Sequence, residues 1–214
     1  MTPLDRPEFL DHVRRGQWYY FGNLLNDYDW SFDWNKFIDL LDTHPPKKIE
    51  HDHRKMKYAL ASLEGRQSAP KGVHDFCRDL RRVFTQNTVT CIAFQGFTKD
   101  HESFKIHKDT MDVLYVQSAG SIDMSVWKWI GGPYKEERQK NSKGEIVPVV
   151  GRGPANITEK HKDKIKKLFQ KKFTRGDAIW LPRGTYHFIE PHGSRIGLSF
   201  GVESDPNPMD YITP

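Results

Sequence analysis

The chain has 214 residues, 36% hydrophobic and 29% charged, with 6 Trp, 8 Tyr and 13 Phe; this is enough for one domain with a real core and too aromatic for a disordered chain. A formal net charge of +5 and a pI near 9.1 are a mild bias that bears on association, not on fold, and are no signature of a dedicated nucleic-acid binder. Two cysteines, Cys77 and Cys91, with no CxxC between them exclude a zinc ribbon and a thioredoxin-type site.

Sparse cysteine fits a reducing compartment. The N-terminus, Met1-Thr2-Pro3-Leu4-Asp5-Arg6-Pro7, has no apolar run of the signal-peptide kind, and no window reaches the length of a membrane span. The expectation is a cytoplasmic protein without membrane contact, with both cysteines buried in a core.

Residues 1–85 read as mixed and largely helical. Gln17-Trp18-Tyr19-Tyr20-Phe21 is a short strand or buried edge that ends at Gly22-Asn23. Trp34, Phe37, Ile38 and Leu41 fall at helical spacing, with Asp33 as the cap and Pro45-Pro46 beyond the end. An exposed loop with Gly65 and Gly72 follows. A second helix is predicted from about Val73 to Phe84, with the stripe Val73, Phe76, Cys77, Leu80 and Phe84.

From Thr88 the pattern turns to β. Strands are predicted over Thr88 to Phe94, Phe104 to Asp109, Asp112 to Gln117, Ile122 to Trp129, Ala178 to Leu181 and Arg195 to Val202. Gly and Pro punctuate them as in a small barrel or jelly roll. The stretch 131–172 interrupts the series. It reads as a long polar loop or hairpin and then one basic helix, started by Asn156 and Glu159 as a capping box. Its lysines, from Lys160 through Lys171-Lys172, are read as a solvated helix face in preference to an RNA or ribosome contact.

His107-Lys108-Asp109 is the most informative local pattern. On a strand, residues two apart share a face, so His107 and Asp109 point inward together and Lys108 points out. The third ligand must come from a neighbouring strand or its end, and His187, after the Trp180-Leu181-Pro182-Arg183-Gly184 strand and turn, is the first candidate. Two imidazoles and one carboxylate on one face of an ion form the usual protein site for non-haem Fe(II) that activates dioxygen. His51-Asp52-His53 is a competing cluster in a charged segment without strand character. His101 and His192 are fallbacks, and His192 in Pro191-His192-Gly193 reads as a turn residue.

The surrounding sequence is more specific. His107-Lys108-Asp109-Thr110-Met111-Asp112-Val113-Leu114-Tyr115-Val116-Gln117-Ser118-Ala119-Gly120 resembles the first metal motif of the JmjC-type oxygenases, and most of all their ribosomal-oxygenase, cupin-like branch. Arg175-Gly176-Asp177-Ala178-Ile179-Trp180-Leu181-Pro182-Arg183-Gly184-Thr185-Tyr186-His187 looks like its second motif, and Leu198 to Val202 is similar to its closing strand. The resemblance spans roughly residues 88–203.

It implies a mainly β, double-stranded β-helix fold, a jelly roll, flanked by N-terminal helices and carrying one helical insertion. The whole of 1–214 then reads as a single oxygenase domain. Residues 1–87 form its support, 88–130 and 173–203 its β-helix core, and 131–172 its insertion. It further implies Fe(II), 2-oxoglutarate and dioxygen as cofactor and cosubstrates. His107, Asp109 and His187 become catalytic metal ligands, and the reaction is hydroxylation or N-demethylation of a substrate. The expected substrate is a protein side chain, ribosomal proteins among them.

The match departs most at one position. The resemblance requires a cation for the distal carboxylate of 2-oxoglutarate two residues past Gly120, where this chain has Ile122. A buried carboxylate needs a cation or several hydrogen bonds. Arg195 with Ser199 is the first substitute, because Arg195, Gly197 and Ser199 share a face and guanidinium meets carboxylate with two bonds. Lys105 is second, by parity with His107 and Asp109, and Tyr115 adds a hydroxyl. Two rivals follow: a metal-dependent cupin enzyme that does not use 2-oxoglutarate, and a non-catalytic binding module working through 160–172.

Overall fold

A computed structural model of the chain describes residues 2–43, 60–61, 70–84, 88–100, 104–135, 138–140, 146–148 and 151–203. Its helices are α1 (Pro7–Arg14), α2 (Trp34–Thr43) and α3 (Lys71–Val83). Its strands are β1 (Tyr19–Phe21), β2 (Leu60–Ala61), β3 (Thr88–Gly96), β4 (Asp112–Ala119), β5 (Ile122–Trp129), β6 (Arg138–Lys140), β7 (Ile146–Pro148), β8 (Ile165–Phe173), β9 (Ala178–Leu181), β10 (Tyr186–Pro191) and β11 (Arg195–Glu203).

Local chemistry explains the helices. The Asp33 carboxylate accepts from Lys36 N at 3.0 Å, which satisfies an amide left open at the start of α2. Phe37 is buried as the spacing requires, but Ile38 is 51% exposed, so the apolar stripe of α2 is narrower than predicted. In α3, Val73, Phe76, Cys77 and Leu80 are all buried, as their spacing predicts. Gly72 lets this helix approach the Asp29 carbonyl, since a Cβ there would lie 2.2 Å from that oxygen. Burial pushes the Cys77 thiol up to about 12 and raises Cys91 as well, as expected of inert core residues. Pro45-Pro46 and Gly65 lie outside the described residues.

Two antiparallel sheets face one another as a jelly roll. The major sheet has the order β1-β9-β4-β11-β3-β2 and the minor sheet β10-β5-β8; β6 and β7 form a separate hairpin. Side-chain alternation divides the core. Leu114, Val116, Trp180, Leu198 and Phe200 face outward from the major sheet against α1 and α3. Val113, Tyr115, Ile179 and Leu181 face inward against Ile122, Met124, Val126 and Phe173 of the minor sheet. With both faces covered, β4 is buried without a break from Asp112 to Ser118, and its centre, Val113 to Val116, does not alternate with polar residues. A third cluster, around Trp129, Ile157 and Tyr186, joins the insertion to the minor sheet.

The insertion is less helical than its sequence suggests. Its helix is a six-residue 3-10 segment, Glu159–Lys164, capped by Thr158 and His161 in place of Asn156 and Glu159. Residues 165–173 form β8, paired with β5 from Ile165↔Trp129 to Phe173↔Ile122, with a register shift beside Val126. The spacing of Ile165, Phe169 and Phe173 is compatible with a helix. The strand wins because the far edge of β5 would otherwise leave its amides and carbonyls unpaired beside the core.

Candidate metal centre

The two halves of the centre meet through the backbone. His107 forms isolated antiparallel bridges to His187 and Asn156 and is not part of a regular strand. The predicted strand from Phe104 to Asp109 is therefore absent. The ligands converge through one bridge and the irregular turn after it, not through strand parity. Lys108 does not point out: it is 2% exposed.

His187 arrives on β10 after a fixed turn. Thr185 N donates to Pro182 O at 3.0 Å and Gly184 N to Asp109 O at 3.0 Å. The Asp112 carboxylate accepts from Arg183 N at 2.8 Å and anchors the same turn to β4. Gly184 has φ 80°, a region that favours glycine.

The donor atoms then share one space. Asp109 places one carboxylate oxygen 3.5 Å from His107 Nε2 and the other 3.5 Å from His187 Nε2. One ligand atom from each of the three residues lies within 4.8 Å of the others. Each ring is set by its second nitrogen. His107 Nδ1 bonds Lys105 O at 2.8 Å and His187 Nδ1 bonds Thr185 O at 3.0 Å. A carbonyl at Nδ1 requires the proton there, which leaves Nε2 as a lone-pair donor toward the centre. Among the described residues this is the one group of three His, Cys, Asp or Glu side chains able to share an ion.

A JmjC domain profile matches residues 74–209. The chain belongs to the JmjC domain family. No curated protein sequence matches it. Solved structures similar to this JmjC domain include the Escherichia coli ribosomal oxygenase YcfD, at 13% identity and TM-score 0.60, covering 96% of this chain and 53% of that one. Another is YcfD in complex with cobalt and 2-oxoglutarate, at 12% identity and TM-score 0.56, with coverage of 96% and 53%. A third, an X-ray structure of E. coli ycfD, has 12% identity and TM-score 0.55, with coverage of 96% and 54%. The likeness is one of fold. The chain spans about half the length of these structures.

A cavity in this JmjC domain is lined by the metal-ligand cluster and by residues of both sheets. Arg195, Ser199 and Tyr115 line it together with His107, Asp109 and His187. Arg195 is buried, and burial lowers its pKa from the ordinary guanidinium value. Burial also raises the Tyr115 phenol, whose hydroxyl donates to Gln117 Oε1 at 2.6 Å. Two glycines leave room for these side chains. A Cβ on Gly197 would lie 2.2 Å from the Tyr115 hydroxyl, and one on Gly96 2.4 Å from Arg195 Nη1.

The other predicted residues lie elsewhere. Lys105 lines a separate groove with Trp127 and Phe188, and its carbonyl accepts from His107 Nδ1. Ile122 is fully buried in the inter-sheet core. His192 pairs with Asp123 at 3.0 Å, which holds that carboxyl below its usual range. His51-Asp52-His53 and His101 lie outside the described residues.

Sequence reasoning missed Phe104, which is 41% exposed, lines the cavity and lies with its ring 4.9 Å from that of His107. It also missed Lys108. The closely spaced glycines in Gly151-Arg152-Gly153-Pro154 were the available signal for a loop that presents carbonyls.

Proposed function

We propose that this chain is an Fe(II)- and 2-oxoglutarate-dependent oxygenase that hydroxylates a protein side chain. His107, Asp109 and His187 hold the metal. The observation that carries the reading is the set of two Nε2 atoms and one carboxylate close enough to share an ion, lining a cavity that a buried arginine also lines. That donor set fits divalent iron, and it occupies one face of the ion and leaves the other open. When bound, iron with 2-oxoglutarate and dioxygen supplies oxidation of a substrate C–H to C–OH, the second oxygen entering succinate as carbon dioxide leaves.

The chain's own groups bind, orient and exclude water. Arg195 and Ser199 take the distal carboxylate of 2-oxoglutarate, in place of the cation that Ile122 does not provide. Guanidinium suits this task because it meets both oxygens. Tyr115 joins them by turning its hydroxyl proton from Gln117. Val113, Met124, Leu181 and Ile189 give the cavity apolar walls, which strengthens the charge pairing within it. No general base is needed, and no titratable group is assigned to that role.

The substrate assignment draws on two supports. Two of the similar E. coli structures are of a ribosomal oxygenase, and the exposed ring of Phe104 at the cavity offers an apolar contact to an incoming side chain. A ribosomal protein is the substrate class we assign, with hydroxylation favoured over N-demethylation.

The test is succinate release with Fe(II), 2-oxoglutarate and ribosomal proteins, read with the mass of the protein product. A gain of one oxygen that His107→Ala abolishes supports the reading. Product formation unchanged in that variant removes the assigned site. Metal uptake with no effect of 2-oxoglutarate selects the cupin-type alternative, which the buried Ile122 favours.

A further inference from the structure

We propose that Lys108 is a positioning residue that ties the 151–156 segment of the insertion to the metal ligands. The inference rests on the metal reading of His107, Asp109 and His187. Lys108 stands between two of those ligands and is 2% exposed. An ammonium has three N–H donors and no acceptor. Here it reaches three successive carbonyls, those of Gly151 at 3.0 Å, Arg152 at 3.4 Å and Gly153 at 3.0 Å.

The loop is shaped for this. Gly151 and Gly153 have φ 88° and 85°, which L side chains rarely adopt, so the chain can curl its carbonyls toward one point. Gly153 has a second constraint: a Cβ there would lie 2.6 Å from both the Trp129 ring and the Tyr186 hydroxyl.

The third ligand reaches the same loop by a parallel route. Tyr186 precedes His187, and its hydroxyl bonds the carbonyls of Arg152 and Pro154. The Lys108 ammonium lies 5.3 Å from the centroid of the Tyr186 ring, within cation–π range. The backbone completes the attachment. Lys108 N donates to Ala155 O at 3.1 Å and Ile157 N to Ile106 O at 2.8 Å, while Asn156 bridges His107. The neighbours of all three ligands thus converge on one short segment.

A buried ammonium is costly unless its donors are bonded, and bulk alone at position 108 would need no charge. The consequence is linkage. If holding the loop and aligning the ligands are one event, metal binding orders the loop, and loosening the loop weakens metal binding by the same factor.

The experiment uses the full chain and Co(II) alone. Three quantities are read in the wild type, Lys108→Met, Lys108→Arg and Tyr186→Phe: the cobalt dissociation constant, the visible cobalt absorption, and amide exchange at 151–156 with and without cobalt. The wild type is expected to bind cobalt and to slow exchange in that segment. Lys108→Met is expected to bind about 10–100-fold more weakly, as changes behind metal ligands usually do, with altered absorption and no cobalt-dependent protection. Lys108→Arg should recover part of both. If Lys108→Met does not fold, Tyr186→Phe, which removes one oxygen, carries the test with a smaller loss in the same direction. A folded Lys108→Met with wild-type affinity, spectrum and protection overturns the role of Lys108, and so does an unaffected Tyr186→Phe where Lys108→Met does not fold. A wild type that takes up no cobalt overturns the metal reading, and this inference with it.

Discussion

His107 and His187 exchange backbone hydrogen bonds, His187 N to His107 O at 2.9 Å and His107 N to His187 O at 3.2 Å. Directly opposed residues in an antiparallel pair project to the same side, and the two ring centroids lie 4.3 Å apart. The spacing of two ligands is therefore set by main-chain atoms. Replacing either imidazole should remove binding and spare the fold. His107→Ala and His187→Ala are expected to lose at least about 100-fold in Co(II) affinity, beyond the range of changes behind the ligands. Their thermal unfolding without metal should stay within about 1 kcal/mol of the parent. Calorimetry checks both, and retained tight binding by either variant removes that residue from the ligand set.

Arg195 gives a sharper test of the cosubstrate. Breaking one side of a buried charge pair costs about 2–5 kcal/mol. Arg195→Met should accordingly raise the KM for 2-oxoglutarate by roughly 30-fold or more, with cobalt affinity unchanged. Arg195→Lys should fall between, since ammonium forfeits the paired contact. An unchanged KM in Arg195→Met would move the carboxylate site elsewhere.

Gly197 separates cavity shape from charge. A Cβ 2.2 Å from the Tyr115 hydroxyl forces either β11 or the phenol to shift. Gly197→Ala is expected to destabilise by about 1–3 kcal/mol and to raise the KM for 2-oxoglutarate. Urea unfolding and steady-state kinetics read the two effects. Wild-type values in both would show that the cavity yields freely.

Much of this was legible in the sequence. Alternation along β4, β9 and β11 separates the residues facing the helices from those facing the cavity. It also puts Arg195, Gly197 and Ser199 on the cavity side, where the structure has them. Helical spacing marked α3 to within two residues of its start. What failed was whatever depended on distant partners. Strand parity from Phe104 to Asp109 turns Lys108 outward, and the structure has no strand there. No local pattern reports that Ala155, Asn156 and Ile157 supply the opposing backbone. In β8, the need of β5 for a neighbour outweighed a helix-compatible spacing.

Trp180 tests the packing beneath the major sheet. Its ring stacks on Phe84 at 4.9 Å and meets Phe9 edge-on at 5.9 Å. Its indole N–H is buried without an acceptor among the described residues. Trp180→Ala should cost about 3–5 kcal/mol. Trp180→Phe should cost far less, because it also removes an unsatisfied donor. Equal losses in urea unfolding would contradict this account.

Asp5 and Arg82 give a pH prediction. The Arg82 guanidinium, 2.8 Å from the Asp5 carboxylate, holds that carboxyl at about 2 against an ordinary 3.8. A carboxyl depressed in the folded state adds stability that is present above about 3.8 and is lost as pH falls toward 2. In Arg82→Ala the Asp5 midpoint, followed by NMR, should rise toward 3.8. A midpoint that stays put assigns the shift to Thr2, whose amide also bonds Asp5.

Among the described residues β8 pairs only with β5, and Lys166, Lys167, Lys171 and Lys172 are exposed on it. A strand at the edge of a sheet invites self-association. Two copies meeting there would crowd their ammonium groups together, so the lysines act as a guard against fibrillar stacking.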